Sequence, residues 1–269
     1  MNLRLDLAYD GAPYRGFARQ PEVPTVQRDL EEALAQLWSR DVSLVVAGRT
    51  DAGVHALGQV VSTTDAPDDL DVVKVRDSLN SILAPQIVIA ECRYVPEDFS
   101  ARFSARSRTY IYGILQRDVP DSFLAATTWY HPEPLDVDAM NEAAGHLVGP
   151  HDFRSFGRLS DPTAPSERVL YELRCRRQGG LIRVRVRANA FLQQMVRSLV
   201  GTLASVGEGR RGPDEIRAVL EARDRSAAGP VAPPHALCLV SVEYDEGWSG
   251  NLFFPPERPG PAGPPGEGL

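Results

Sequence analysis

The sequence predicts an α+β protein made of two successive halves that repeat one order of elements, βαββαβ. Three observations carry that prediction. Strand-like alternation and helical spacing of apolar residues take turns along the 269 residues, and the same order of elements occurs twice. The composition, 43% apolar and 24% charged, is that of a globular chain able to bury a core.

In the first half, Leu3, Leu5, Leu7 and Tyr9 alternate with polar neighbours as in a half-buried strand. Thr25 then caps a helix whose buried stripe is Val26, Leu30, Leu34 and Leu37. Strands are expected over 43–48 and 57–63, a helix through Val72, Val75, Leu79 and Ile82, and a strand over 86–95. In the second half a strand is expected over 106–116, then a helix bearing Val137, Met140, Ala144 and Leu147. Val169, Tyr171, Leu173 and Cys175 face a partner strand of Ile182, Val184 and Val186 across Gly179-Gly180, a hairpin turn. A helix is expected from Asn189 to Val206, ended by Gly207, a short one from Pro213, and a final strand over 237–244.

Each half therefore has the order of the ferredoxin-like split unit. That predicts an internal duplication, residues 1–100 and 101–248, whose antiparallel sheets meet in a central cleft. Residues 249–269 form a tail; from Pro255 it holds six prolines and four glycines, a composition that cannot bury a core and is expected to be disordered.

The charge is uneven. The chain carries -7 overall, which argues against a polyanionic partner, yet arginines 168, 174, 176, 177, 183, 185, 187 and 197 are opposed only by Glu172. This segment is read as a basic face. Lys74 is the one lysine among 29 basic residues, a bias that a GC-rich coding sequence explains; whatever its origin, arginine grips phosphates as a planar fork. Cys92, Cys175 and Cys238 are odd in number and form no CxxC pair, so they read as buried thiols in a reducing cytoplasm. No signal peptide and no membrane span are expected, because the start alternates charge with apolar residues and Arg197 interrupts the longest apolar stretch. Five scattered histidines lack HxH or HxxxH spacing, and no phosphate or dinucleotide fingerprint appears, so neither metal nor cofactor is expected.

The most informative segment is Gly48-Arg49-Thr50-Asp51-Ala52-Gly53-Val54-His55-Ala56. It reads as a tight, glycine-permitted loop presenting a carboxylate beside an arginine and a histidine, where Asp51 is placed to act as nucleophile or base. From spacing alone, a hairpin turn in which Asp51 bonds its own backbone and Arg49 is solvated is the commoner arrangement.

The stretch GRTDAGVHALGQV closely resembles the signature of the tRNA pseudouridine synthase A family. So do Tyr9-Asp10-Gly11 with Gly16-Phe17 and Gln20, LNSILAPQI, FSARFSARSRTYIY, HDFRSF, AFLQQMVRSLVGTLASVG and APPHALCLVSVEY, in the family's order over nearly all of the chain before the tail. The resemblance implies a duplicated α+β enzyme, usually a homodimer, with its cleft binding RNA. It implies isomerisation of uridine to pseudouridine in the anticodon stem-loop of tRNA, without cofactor or metal. It makes Asp51 the catalytic aspartate, whether by attack on C1′, attack on C6 or proton abstraction. Arg49 becomes the side chain that fills the space left by a flipped base, with a solvated turn arginine as its alternative. Tyr110 becomes the ring stacked on the uracil; Tyr112 shares its face, and either would otherwise be a core aromatic. Arg197, on a mostly apolar helix with Gln193 and Gly201 in its stripe, needs an anion, and the family pattern supplies Asp51; the alternative is a snorkelling surface arginine. Leu237 becomes an apolar wall near the base, or a strand core residue. Three departures bear on the pocket lining: Ser100 stands where the family often has histidine, Ala18-Arg19 precedes Gln20, and Ala236 replaces a usual glycine. Two other readings are a pseudouridine synthase acting on another RNA, and a catalytically silent RNA-binding module on the same fold.

Overall fold

The computed structural model describes residues 2–159, 161 and 163–245, with the backbone of 247 and 248. The tail expected at 249–269 lies outside them. The protein is of mixed α+β type, with strands β1 (Asn2–Tyr9), β2 (Val45–Val46), β3 (His55–Thr63), β4 (Ile87–Val95), β5 (Ser107–Leu115), β6 (Trp129–Tyr130), β7 (Gly149–Asp152), β8 (Glu167–Gln178), β9 (Leu181–Ala188), β10 (Leu237–Tyr244) and β11 (Gly247–Trp248). The helices are α1 (Val26–Trp38), α2 (Val72–Leu83), α3 (Val137–Gly145), α4 (Met195–Gly207) and α5 (Glu215–Ala222).

The caps are local chemistry. The Thr25 hydroxyl accepts from the Arg28 amide at the start of α1, and Asp71 and Asp136 carboxylates do the same for α2 and α3, each satisfying an otherwise orphaned N–H. Gly179, at φ +59, makes the turn between β8 and β9.

All these strands join one sheet in the order β4-β1-β3-β10-β5-β9-β8-β7, with β2 on β3, β6 on β5 and β11 on β10. This refines the expectation of two antiparallel sheets meeting. β10 runs parallel to β3, Cys238 opposite His55 and Leu239 opposite Ala56. The short β2 covers β3 only at Val61 and Ser62, so the other end of that edge remains for β10. Gly58 permits the approach: a Cβ there would lie 2.4 Å from the Val240 carbonyl oxygen.

Register sorts the sheet's two faces. Leu239, Tyr110, Val186 and Leu173 lie in one row across β10, β5, β9 and β8, all buried. The next row, Cys238, Ile111, Arg185 and Arg174, points to the opposite face and is half-buried or exposed. α3 packs on β8 and α4 packs on α3, and the fully buried Phe153 and Phe156 belong to the same core.

The helix expected from Asn189 begins only at Met195. Residues 189–194 are held otherwise: Asn189 Oδ1 accepts from the amides of Val169 (2.9 Å) and Ala190 (2.9 Å), and the Gln193 carbonyl accepts from Arg158 N (2.9 Å). These tertiary bonds outcompete the helix ladder, and Gln194 turns left-handed at φ 62 to start α4. Gln193 therefore does not share a helical stripe with Arg197. Gly201 faces the 229–232 segment, where a Cβ would lie 1.9 Å from the Pro230 oxygen.

Candidate active site

The loop from Ala47 to Val54 is pinned on both sides of Arg49. Gln59 Nε2 donates to the Gly48 carbonyl (2.8 Å), and Tyr9 and Thr50 share a hydroxyl hydrogen bond of 2.8 Å. The Phe17 amide donates to the Thr50 carbonyl (3.1 Å). Gly16, at φ +102, admits this contact, because a Cβ there would come within 3.0 Å of that oxygen. Gly53, at φ +78, closes the turn against Pro234, just before β10. Arg49 itself is exposed.

Asp51 Oδ2 lies 3.1 Å from Arg197 Nη1, with the carboxylate side chain 23% and the guanidinium side chain 13% exposed. Arg197 Nε also donates to the Ala232 carbonyl (2.7 Å), and the Ala232 amide returns a bond to the Arg197 carbonyl (3.1 Å). The arginine is thus oriented by main chain and aimed at the carboxylate; it does not snorkel to the surface.

Tyr110 lies with its ring edge-on to Phe191, centroids 5.1 Å apart at 89°. Burial foremost, then the nearby oxygens of Tyr9 and Asp51, push its phenol pKa up, so the hydroxyl is protonated at neutral pH. Tyr112 is fully buried and its hydroxyl donates to the Pro233 carbonyl (2.9 Å), which commits it to the fold. Leu237 is buried opposite Tyr112, and it is Leu239 that lies opposite Tyr110.

His55, expected beside the carboxylate, turns elsewhere. Its Nδ1 lies 3.0 Å from Asp10 Oδ1 and within 3.1 Å of the Gly11 amide, and its Nε2 contacts the Ala126 carbonyl (3.2 Å). The supporting residues Tyr9, Thr50 and Gln59 were not singled out from sequence, although all three stand inside the motifs quoted above.

The basic segment does not form one face. Arg174, Arg176, Arg183, Arg185 and Arg187 project from the sheet face opposite Tyr110, while Arg197 belongs to α4. Arg185 pairs with Glu172 (3.1 Å) and Arg187 with Glu243 (3.5 Å). Cys92 and Cys175 are buried, and Cys238 is half-buried on the same opposite face. Among the described residues no helix is long and apolar enough to cross a membrane, and no three His, Cys, Asp or Glu gather as metal ligands.

The model of the family described as tRNA pseudouridine synthase matches residues 7–104 and 143–245. The chain belongs to this family. It is 43% identical over 244 residues to the tRNA pseudouridine synthase A of Sinorhizobium fredii, covering 90% of this chain and 98% of that one. It is 45% identical over 242 residues to that of Rhodospirillum rubrum, covering 90% and 87%, and 42% identical over 258 residues to that of Agrobacterium fabrum, covering 95% and 94%. Pseudouridine synthases are isomerases, and membership makes this chain an isomerase of uridine in tRNA.

Proposed function

We propose that this pseudouridine synthase acts on the anticodon stem-loop and that Asp51 is its catalytic carboxylate. The reaction breaks the C1′–N1 bond, turns the uracil and joins C5 to C1′; the C5 proton leaves and N1 takes one up, so no atom is gained or lost. A carboxylate that captures an electrophilic carbon, or accepts the C5 proton, divides this into easier steps. The observation that carries the reading is the 3.1 Å pair between Asp51 and Arg197, a half-buried carboxylate held in place by a main-chain-anchored guanidinium.

The other roles follow from position. Tyr110, a protonated phenol at the loop, supplies a ring for the detached uracil to lie on. Arg49, exposed between two pinned residues, enters the space vacated when the base leaves its stack, a step that costs about a few kcal/mol. Leu237 walls the apolar side. No metal or cofactor enters the proposal. We further infer two duplicated ferredoxin-like halves with the RNA cleft at their junction: the same strand order in β4-β1-β3 with β2 and in β10-β5-β9 with β8 supports the duplication. The protein works in the cytoplasm as a homodimer in this reading.

The test is pseudouridine formation on tRNA transcribed without modification. Turnover at an anticodon stem-loop uridine supports the proposal; turnover confined to another RNA transfers the activity to that substrate. Binding without turnover gives the silent RNA-binding module instead.

A further inference from the structure

The guanidinium of Arg108, in β5, is buried and belongs to none of the roles assigned above. Its N–H groups make five hydrogen bonds to four main-chain carbonyls. Nε and Nη2 donate to Ala47 O (3.0 and 2.8 Å), Nη2 also to Arg102 O (2.7 Å), and Nη1 to Ala105 O (3.2 Å) and Asn189 O (2.7 Å). All of these acceptors are carbonyl dipoles. Burying a charge on such partners is costly, and burial lowers the guanidinium pKa from its ordinary value.

The three segments it joins say what the arrangement achieves. Ala47 opens the loop that carries Arg49 and Asp51. Asn189 follows β9 and opens the run to α4, which carries Arg197. Arg102 and Ala105 lie in the connection from β4 to β5. A rigid plane with fixed donor directions therefore sets how far the arm bearing Asp51 stands from the arm bearing Arg197. Gly48, the next residue, lies beside both Tyr110 and Arg108: a Cβ there would be in ordinary contact with the Tyr110 hydroxyl at 3.6 Å and with Arg108 Cγ at 4.0 Å.

We propose that Arg108 is a positioning residue for the isomerisation: it fastens the Asp51 loop to the start of the Arg197 arm, and so holds Asp51, Arg197 and Tyr110 in register. This rests on reading Asp51 as the catalytic carboxylate; Arg108 itself touches no reacting atom.

The experiment uses Arg108→Lys and Arg108→Gln in the full chain, with Asp51→Asn alongside. Lysine keeps the charge but cannot reach four carbonyls in one plane. Single-turnover rate per folded molecule is measured with tRNA, the folded fraction being taken from circular dichroism, and tRNA affinity is measured separately. The rate should fall about 10- to 100-fold with affinity changed less than about 3-fold. In an Arg197→Gln background, Arg108→Lys should cost much less, because the pair it sets is already broken. A full rate per folded molecule would overturn the proposal. So would an effect that simply multiplies with that of Arg197→Gln, or failure of both variants to yield soluble protein, which marks a need for folding alone. An inactive Asp51→Asn beside an unimpaired Arg108→Lys removes only this proposal; an active Asp51→Asn removes the reading beneath it.

Discussion

Asp51 and Arg197 are 146 residues apart in the chain and 3.1 Å apart in space, one on the loop before β3 and the other on α4. Each reaches the contact already oriented, the aspartate by a loop pinned at Gly48 and Thr50 and the arginine by the Ala232 carbonyl. Arg197→Gln should therefore lower kcat by about 10- to 1,000-fold while the Kd for tRNA moves less than about 3-fold, since the pair with Asp51 is lost and the phosphate contacts that carry affinity are left in place. A variant that binds weakly but turns over at the normal rate would show that Arg197 holds RNA and does not orient the carboxylate.

Gly201→Ala tests whether the segment behind Arg197 is as closely packed as it looks. The added methyl would meet the Pro230 oxygen at 1.9 Å, backbone that cannot yield like a side-chain tip. A destabilisation of roughly 1–3 kcal/mol is expected. Because the displaced segment ends at the Ala232 carbonyl that Arg197 uses, turnover per folded molecule should drop too. Unchanged stability in urea would mean that α4 and this segment are farther apart.

Burial pushes the thiol pKa values of Cys92 and Cys175 up to about 12, so both are neutral thiols far above pH 8 and make poor nucleophiles. Ellman's reagent at pH 8 should leave these two unmodified in the native protein and titrate all three cysteines after denaturation. Rapid native labelling of Cys92 or Cys175, located by peptide mapping, would contradict the packing described.

What the sequence disclosed follows how local the signal was. The β8–β9 hairpin was legible because alternation and a Gly-Gly turn act within a few residues; its strands extend only slightly beyond the expected bounds. The start of α4 was not legible, because Asn189 and Gln193 are held by Val169 and Arg158, far off in the chain. The pairs β5–β6 and β7–β8 likewise exist only once tertiary neighbours are in place. At the site, the Asp51–Arg197 pair came from the family resemblance, since no spacing rule spans such a separation. A local count of arginines likewise could not tell the face with Tyr110 from the opposite one.

That opposite placement changes the expectation for the arginine stripe. Arg183, Arg185 and Arg187 can add to phosphate attraction, and binding should weaken steeply with salt. They stand across the sheet from Tyr110, however, so replacing all three by Gln should alter affinity and its salt slope and leave kcat within about 2-fold. Arg49→Ala should do the reverse. A large loss of kcat in the triple variant would place the stripe at the reacting base.

If a single carboxylate performs the chemistry, Asp51→Asn removes it with almost no change of shape. Pseudouridine formation on unmodified tRNA is measured beside tRNA affinity and thermal melting, the last because Arg197 loses its partner. No detectable pseudouridine is expected from a folded variant that binds tRNA within about 3-fold of the original protein. Pseudouridine at near the original rate from that folded variant would contradict it.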